Sequence, residues 1–208
     1  MLKLRPAAVT FLFLLGAAAG LVGDHAHVVT GTTTYISSAN FASPHAVPFV
    51  WSSPLWFPVL VGGATVSLAE LRLHLSRPRT DVTPRQGLAG VAAVIGTYVV
   101  TALIHAAPGV PATALICTLA VITWCALGDG PAVICGVLAA VVGPVVEIVL
   151  VDVGVFRYSE TCDQLFGVGP WLVPLYFAFG VVAALLGELA VRPREARRTV
   201  RGARLHYP

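Results

Sequence analysis

Residues 145–190, VVEIVLVDVGVFRYSETCDQLFGVGPWLVPLYFAFGVVAALLGELA, decide the fold. They hold two apolar runs, each long enough to cross a bilayer, joined by a polar loop that ends in Pro170-Trp171. The first run carries a carboxylate, Glu147, one turn past Pro144. A charge at hydrocarbon depth is costly and faces a bundle interior or a cavity far more often than lipid, so Glu147 is a site candidate.

The same apolar density extends over the whole chain. Of its 208 residues, 57% are hydrophobic and 11% charged, and the mean hydropathy is +0.84, which excludes an ordinary soluble domain. Apolar runs of about 18 residues or more read as bilayer-spanning helices. Six are expected, at roughly 6–23, 49–74, 87–106, 111–128, 131–151 and 171–191. In lipid each must satisfy its own backbone hydrogen bonds, and the alternating pattern of a membrane barrel is absent. The expectation is an all-α polytopic membrane protein, a six-transmembrane-helix bundle forming a single domain over 1–208.

Basic residues set the expected orientation. Lys3 and Arg5 precede the first span; Arg72, Arg77, Arg79 and Arg85 surround the connection between the second and third; a basic tail over 192–208 follows the last. All of these fall on one side of a six-span chain and only Arg157 falls on the other, so both termini are expected in the cytoplasm. The basic balance is thus topological and implies no nucleic-acid partner. The first span also resembles a signal peptide, with Lys3 and Arg5 before a short apolar core and the small run Gly16–Gly20, but a retained helix is expected. One Lys and one Asn (Asn40) against twelve Arg point to a GC-rich genome and hence to a bacterial plasma membrane.

Polar residues within the spans are few. Gly16 and Gly20 in the first span, and Gly180, Ala183, Ala184 and Gly187 in the sixth, form small faces that permit close helix packing and self-association. Asp24, His25 and His27 fall in the expected loop after the first span and make a weak metal pattern; no metal site is expected. Trp51 and Trp56 sit where an interfacial aromatic belt belongs, with Pro54 and Pro58 in the first turns of the second span. Thr97, Thr101 and His105 are four apart on one face of the third span. They either bond back to carbonyls one turn earlier or line a pocket. Asp129 is a good N-cap for the fifth helix, Pro131 fits its first turn, and Pro144 should kink it beside Glu147. Glu188 and Arg192 are spaced for an ion pair. Cys117, Cys125 and Cys135 read as buried small hydrophobes, and Cys162 stands alone in an outer loop.

Catalytic patterns are missing. There is no Gly-rich phosphate loop, His-Glu-x-x-His, paired metal-spaced aspartates or nucleophile elbow. His105, Glu147 and Asp152 alone imitate an acid–base set, without a nucleophile or cofactor. The chain is not expected to be an enzyme.

The run Trp51-Ser-Ser-Pro-Leu-Trp56-Phe-Pro58 resembles the Insig (insulin-induced gene) family, six-span sterol-responsive proteins of the eukaryotic endoplasmic reticulum, in the run that enters its second span. The likeness continues at Ile104-His105-Ala106, Thr118-Leu119-Ala120, Trp124 and Asp129. It is clearest at Gly154-Val155-Phe156-Arg157-Tyr158, Trp171-Leu172 and Phe177–Ala190. Order and span spacing match over most of the chain. The resemblance implies a non-catalytic binder of a membrane lipid, sterol-like or diacylglycerol-like, in a pocket among the central helices, with Glu147, Thr97, Thr101, His105 and Trp124 as ligand contacts. It also implies capture of another membrane protein near Asp129. Two departures weaken that second implication: the family's Arg- and Ser-rich turn is cut to Gly128-Asp129-Gly130-Pro131, and its Gly-Asn pair in the sixth span is Ala184-Leu185.

The leading expectation is therefore a lipid receptor. Its ligand would enter sideways from the bilayer, touch apolar walls of spans one, three, four and five, and place a hydroxyl against Glu147, Thr97, Thr101 or His105. Two other classes stand beside it: the substrate-capturing subunit of a vitamin transporter, and a small membrane enzyme acting on isoprenoid or lipid.

Overall fold

The structure is a computed structural model that describes residues 2–36 and 48–191. Asn40, Arg192 and the rest of the tail over 192–208 lie outside the described residues. The elements in chain order are α1 (Pro6–Thr30), β1 (Thr33–Tyr35), β2 (Phe49–Val50), β3 (Ser53–Pro54), α2 (Trp56–Leu75), α3 (Pro84–Leu103), α4 (Gly109–Leu127), α5 (Gly130–Asp152), β4 (Phe156–Tyr158) and α6 (Leu172–Ala190).

Five of these helices are long and apolar enough to cross a membrane. The other, α2, has 20 residues, but Glu70, Arg72 and His74 in its last turns lower its hydropathy. α1 runs a full two turns past the expected end at residue 23. Its stop signal is Gly31, whose φ of 74° is the left-handed C-cap conformation that glycine adopts without cost. Asp24, His25 and His27 consequently lie on a helix and not in a loop. α2 begins later than expected, because residues 49–54 form a two-stranded hairpin, β2–β3, with Pro54 in a strand. The fold is thus helical with a small β component, a correction to the all-α reading. A second ladder pairs β1 with β4 antiparallel, Thr33 opposite Tyr158 and Tyr35 opposite Phe156. Both strands alternate buried and exposed residues, so Tyr35, Phe156 and Tyr158 turn inward and Arg157 outward. These three aromatics and Trp171 form the core that plugs this end of the bundle.

α6 is the axis. Two-thirds of its apolar window is buried, against 22–28% for the other four apolar helices. It packs on α2, α3, α4 and α5. Its small face makes that possible: a Cβ on Gly180 would lie 2.4 Å from the Cys135 carbonyl oxygen of α5, and one on Gly187 would lie 2.6 Å from the Ala69 carbonyl oxygen of α2. α5 continues as helix through Pro144. Cys117 and Cys125 are exposed on α4, contrary to expectation, while Cys135 and Cys162 are buried.

The opposite end is closed by charge. Arg72 of α2 has no exposed surface and donates to Asp129 at 2.6 Å and to Glu188 of α6 at 2.5 Å. Arg79 donates to Glu188 at 2.7 Å and to the Leu127 and Gly128 carbonyls at the end of α4. Burial alone would lower the Arg79 guanidinium, but its hydrogen bonds to Glu188 outweigh that and raise it. Asp129 also caps α5, accepting from Ala132 N at 2.9 Å, as its sequence position predicts. Glu188 is committed to these two arginines of the α2–α3 segment, while Arg192, its expected partner, lies outside the described residues. Four charges of balanced sign thereby tie α2, the α4–α5 turn and α6 together.

Glu188→Leu is expected to destabilise the fold by about 3 kcal/mol, the lower end for breaking a buried pair, because Asp129 still faces Arg72. Arg79→Ala should cost less, since Arg79 is a quarter exposed and water replaces part of what it loses. Thermal unfolding of the detergent-purified protein ranks the two; equal midpoints would show that the buried arginine does not carry the lock.

Candidate functional site

Between the aromatic plug and the arginine lock lies a cavity of about 600 Å³. Its walls come from α1, α2, α3, α5 and α6, with Tyr35 and Phe156 reaching in from the strands. α4 contributes no wall, while α2 and α6, absent from the expected set, do. Most of the lining is aliphatic or aromatic, as in Leu60, Val94, Leu138, Val142 and Phe179. Val59 and Leu60 on α2, and Val142 and Val146 on α5, line the cavity and are 38–53% exposed, and α2 and α5 pack far less closely on each other than on α6.

The polar groups gather toward the strand end. Glu147, 8% exposed, lines the cavity and accepts from both sides: Tyr176 of α6 donates to Oε1 at 2.5 Å, and Tyr158 of β4 donates to Oε2. Burial and the neighbouring carboxylate push the Tyr158 phenol well above its ordinary range, so it stays protonated and donating. A second carboxylate, Asp24 of α1, is 5% exposed and also lines the cavity. Tyr35 donates to its Oδ2 at 3.0 Å and Ser53 donates to the same oxygen at 2.5 Å. Burial and then Asp24 raise the Tyr35 phenol in the same way.

The other expected contacts lie elsewhere. Thr97 donates to the Ala93 carbonyl at 2.8 Å, so of its two sequence readings the back-bonded one describes it. Thr101 donates to the Tyr98 carbonyl at 2.6 Å, and its oxygen lies 2.8 Å from His27 Nε2. With the hydroxyl proton so committed, His27 Nε2 is the donor of that bond. His105 falls just past the end of α3 and its Nδ1 meets the Ala102 carbonyl at 2.8 Å. Trp124 belongs to α4 and packs edge-on against Phe177, with centroids 6.3 Å apart. None of the four lines the cavity: Thr97 and Thr101 are buried in helix packing, His105 lies beyond the end of α3, and Trp124 belongs to α4. Asp129, expected to meet a partner, spends its oxygens inside the arginine lock and the α5 cap. His25 stacks on Trp51 at 4.1 Å, and Asp24 and His27 have the partners named above, so the three do not converge on one point. Among the described residues no cluster of three or more metal-ligating side chains forms.

Sequence reasoning missed Asp24 as a cavity acid, Ser53, and four tyrosines: Tyr35, Tyr158, Tyr176 and Tyr98, which also lines the cavity. Gly31 was the available signal for Asp24: a helix ending there puts a second carboxylate at membrane depth. The tyrosines carried none, since three of them come from strands or a distant helix face.

No family model matches the chain. A protein of Mycolicibacterium vanbaalenii described as an INSIG protein homolog is 66% identical over 193 residues, which are 93% of this chain and 91% of that protein. The crystal structure of a mycobacterial Insig homolog, MvINS from Mycobacterium vanbaalenii, superposes with a TM-score of 0.86 at 65% identity, covering 93% of this chain and all of that one. A cross-linked MvINS R77C trimer gives a TM-score of 0.87 at 64% identity over the same shares. The segments that carried the resemblance are the ones that build the hairpin, the aromatic plug and the axial helix, and the chain belongs to the Insig family.

Proposed function

We propose that this chain is a non-catalytic lipid-binding protein that holds a sterol-like or diacylglycerol-like amphiphile in the cavity among α1, α2, α3, α5 and α6. The observation that carries this reading is the cavity itself: about 600 Å³, greasy along most of its length and polar at one end. Pockets of about 300–1,000 Å³ with apolar walls and a few placed polar groups are what small-molecule sites look like. In this reading the loosely packed seam between α2 and α5 is the ligand's sideways route from the bilayer, with no need to pass through water. Glu147 acts in this reading through Tyr158 and Tyr176, which it holds in place around the polar end.

In the same reading α2 is a sixth crossing, made tolerable because its fully buried Arg72 is paired inside the bundle. The arginine end faces the cytoplasm by the positive-inside rule, placing both termini there in a bacterial plasma membrane. The whole chain acts as one domain. The cross-linked trimer of MvINS supports self-association of this chain as well. A non-catalytic role fits the way these groups are engaged: Glu147 and Asp24 are bound by hydroxyls, and Ser67, which also lines the cavity, donates to the Gly63 carbonyl.

Mass spectrometry of the purified protein should find a neutral membrane lipid at close to one per chain; a water-soluble vitamin in its place would sink the proposal in favour of a transporter subunit. A block on the cavity is a second test. Gly63 lines it, and a Cβ there meets nothing within 4 Å. Gly63→Phe should therefore lose the lipid while keeping or slightly raising the unfolding midpoint, because a helix-interior glycine costs about 0.5–1 kcal/mol. Full lipid occupancy in that variant would show that the cavity is not the binding site. Glu147→Leu releases two phenols into the polar end and is expected to lower lipid occupancy; unchanged occupancy would remove Glu147 from the site.

A further inference from the structure

Each carboxylate at the polar end has two oxygens, and the two residues use them differently. In Glu147 each oxygen takes one tyrosine. In Asp24 both protein donors, Tyr35 and Ser53, converge on Oδ2. Oδ1 has no hydrogen-bond partner among the described residues, although the side chain is 5% exposed and borders the cavity. Oδ1 keeps some accessible surface, and the cavity that Asp24 lines is where a donor can reach it.

A second polar group lines the same cavity. The Tyr98 phenol lines the cavity and has no hydrogen-bond partner among the described residues. Its ring packs so close to Gly23 that a Cβ there would fall 1.8 Å from a ring carbon. Gly23 thereby seats Tyr98 beside the residue that follows it in the chain, Asp24. The pair offers one acceptor and one hydroxyl able to donate. Among the described residues that line the cavity there is no Lys, Arg or His.

We infer that Asp24 is the residue that selects the ligand: its free Oδ1 accepts a hydrogen bond from the head of the amphiphile while Tyr98 donates to the same head oxygen, so the site takes an uncharged alcohol and rejects both a capped head and an anionic one. This inference rests on the lipid-pocket reading above and adds to it the chemistry of the head. An alcohol satisfies both groups at once through a single oxygen. An ether or ester satisfies Tyr98 and leaves Oδ1 orphaned. A phosphate or free carboxylate brings a negative charge to a wall whose described residues hold two carboxylates and no cation, where repulsion acts at low dielectric.

The test uses the full chain, stripped of lipid in detergent and titrated with dioleoylglycerol, with its 3-O-methyl ether and with dioleoyl phosphatidate. The alcohol is expected to bind at least about tenfold more tightly than the ether, and the phosphatidate not to bind. Asp24→Asn separates the hydrogen bond from the bulk of the methyl cap. Tyr35 and Ser53 keep the amide carbonyl at the Oδ2 position, which turns the amide N–H₂ toward the cavity and exchanges an acceptor for a donor. The alcohol-to-ether ratio should then fall to about one or below with the unfolding midpoint held. Tyr98→Phe should weaken both lipids by the same factor and leave the ratio intact. A wild-type ratio near one, an ether preference in the wild type, or a ratio untouched by Asp24→Asn overturns the inference and leaves the lipid pocket standing. If none of the three lipids binds, both fall. The wild-type ratio decides the matter even if a variant does not fold.

Discussion

A carboxylate inside hydrocarbon has to find donors within its own chain, and that requirement organises both ends of this molecule. At one end Asp24 and Glu147 draw in four hydroxyls from outside their own helices: Tyr35 from β1, Ser53 from β3, Tyr158 from β4 and Tyr176 from α6. Three of those hydroxyls ride on short strands that could not hold together alone. The strands are placed because the acids need them, and once placed they carry the aromatics that cap the bundle. At the other end Glu188 and Asp129 meet Arg72 and Arg79 under the same rule.

These polar contacts define register in a way that apolar packing does not. Helices of Leu, Val and Ala slide past one another at modest cost, since lipid tails are as apolar as the side chains they would replace. An arginine with no exposed surface bonded to two carboxylates on different elements has no such freedom. Displacing α2 along α6 by one turn would strand Arg72 and Glu188 together. The small residues of α6 then set the distance, with Gly180 against α5 and Gly187 against α2, and the charges set the height.

How much of this was legible follows from the length scale of each signal. Helices leave a trace over about 18 residues, and their number, order and approximate limits could be read. The α5 cap was equally plain, because Asp129 and Pro131 are local. Short strands leave almost none: Thr33–Tyr35 and Phe156–Tyr158 are three residues each, and their pairing spans more than 120 positions. Glu147 stood out as an acid in an apolar run, but its partners did not, since a tyrosine on a helix face reads as interfacial or packed whatever its hydroxyl does. Thr97, Thr101 and His105 show the converse. Their spacing is a stripe on paper, yet the carbonyls one turn earlier and His27 consume it. Asp24 was hidden by its neighbours: with His25 and His27 it looked like a loop, and only Gly31 marked the helix end.

The same division of labour explains why a cavity survives at all between helices that would gain contact by closing on it. Dispersion favours collapse wherever apolar walls face each other across a gap. Here α2 and α5 approach at neither end freely. At the strand end the hairpin leading into α2 is held to α1 through Ser53 and Asp24, while α5 is held to α6 and β4 through Glu147. At the arginine end Arg72 of α2 reaches Asp129 at the start of α5, and Glu188 of α6 joins them. With both ends of both helices pinned by bonds whose loss leaves buried charge exposed to hydrocarbon, closing the gap would cost more than the contacts it gains. The void is the remainder left by satisfying the charges first, and its greasy middle and polar end follow directly from where those charges sit.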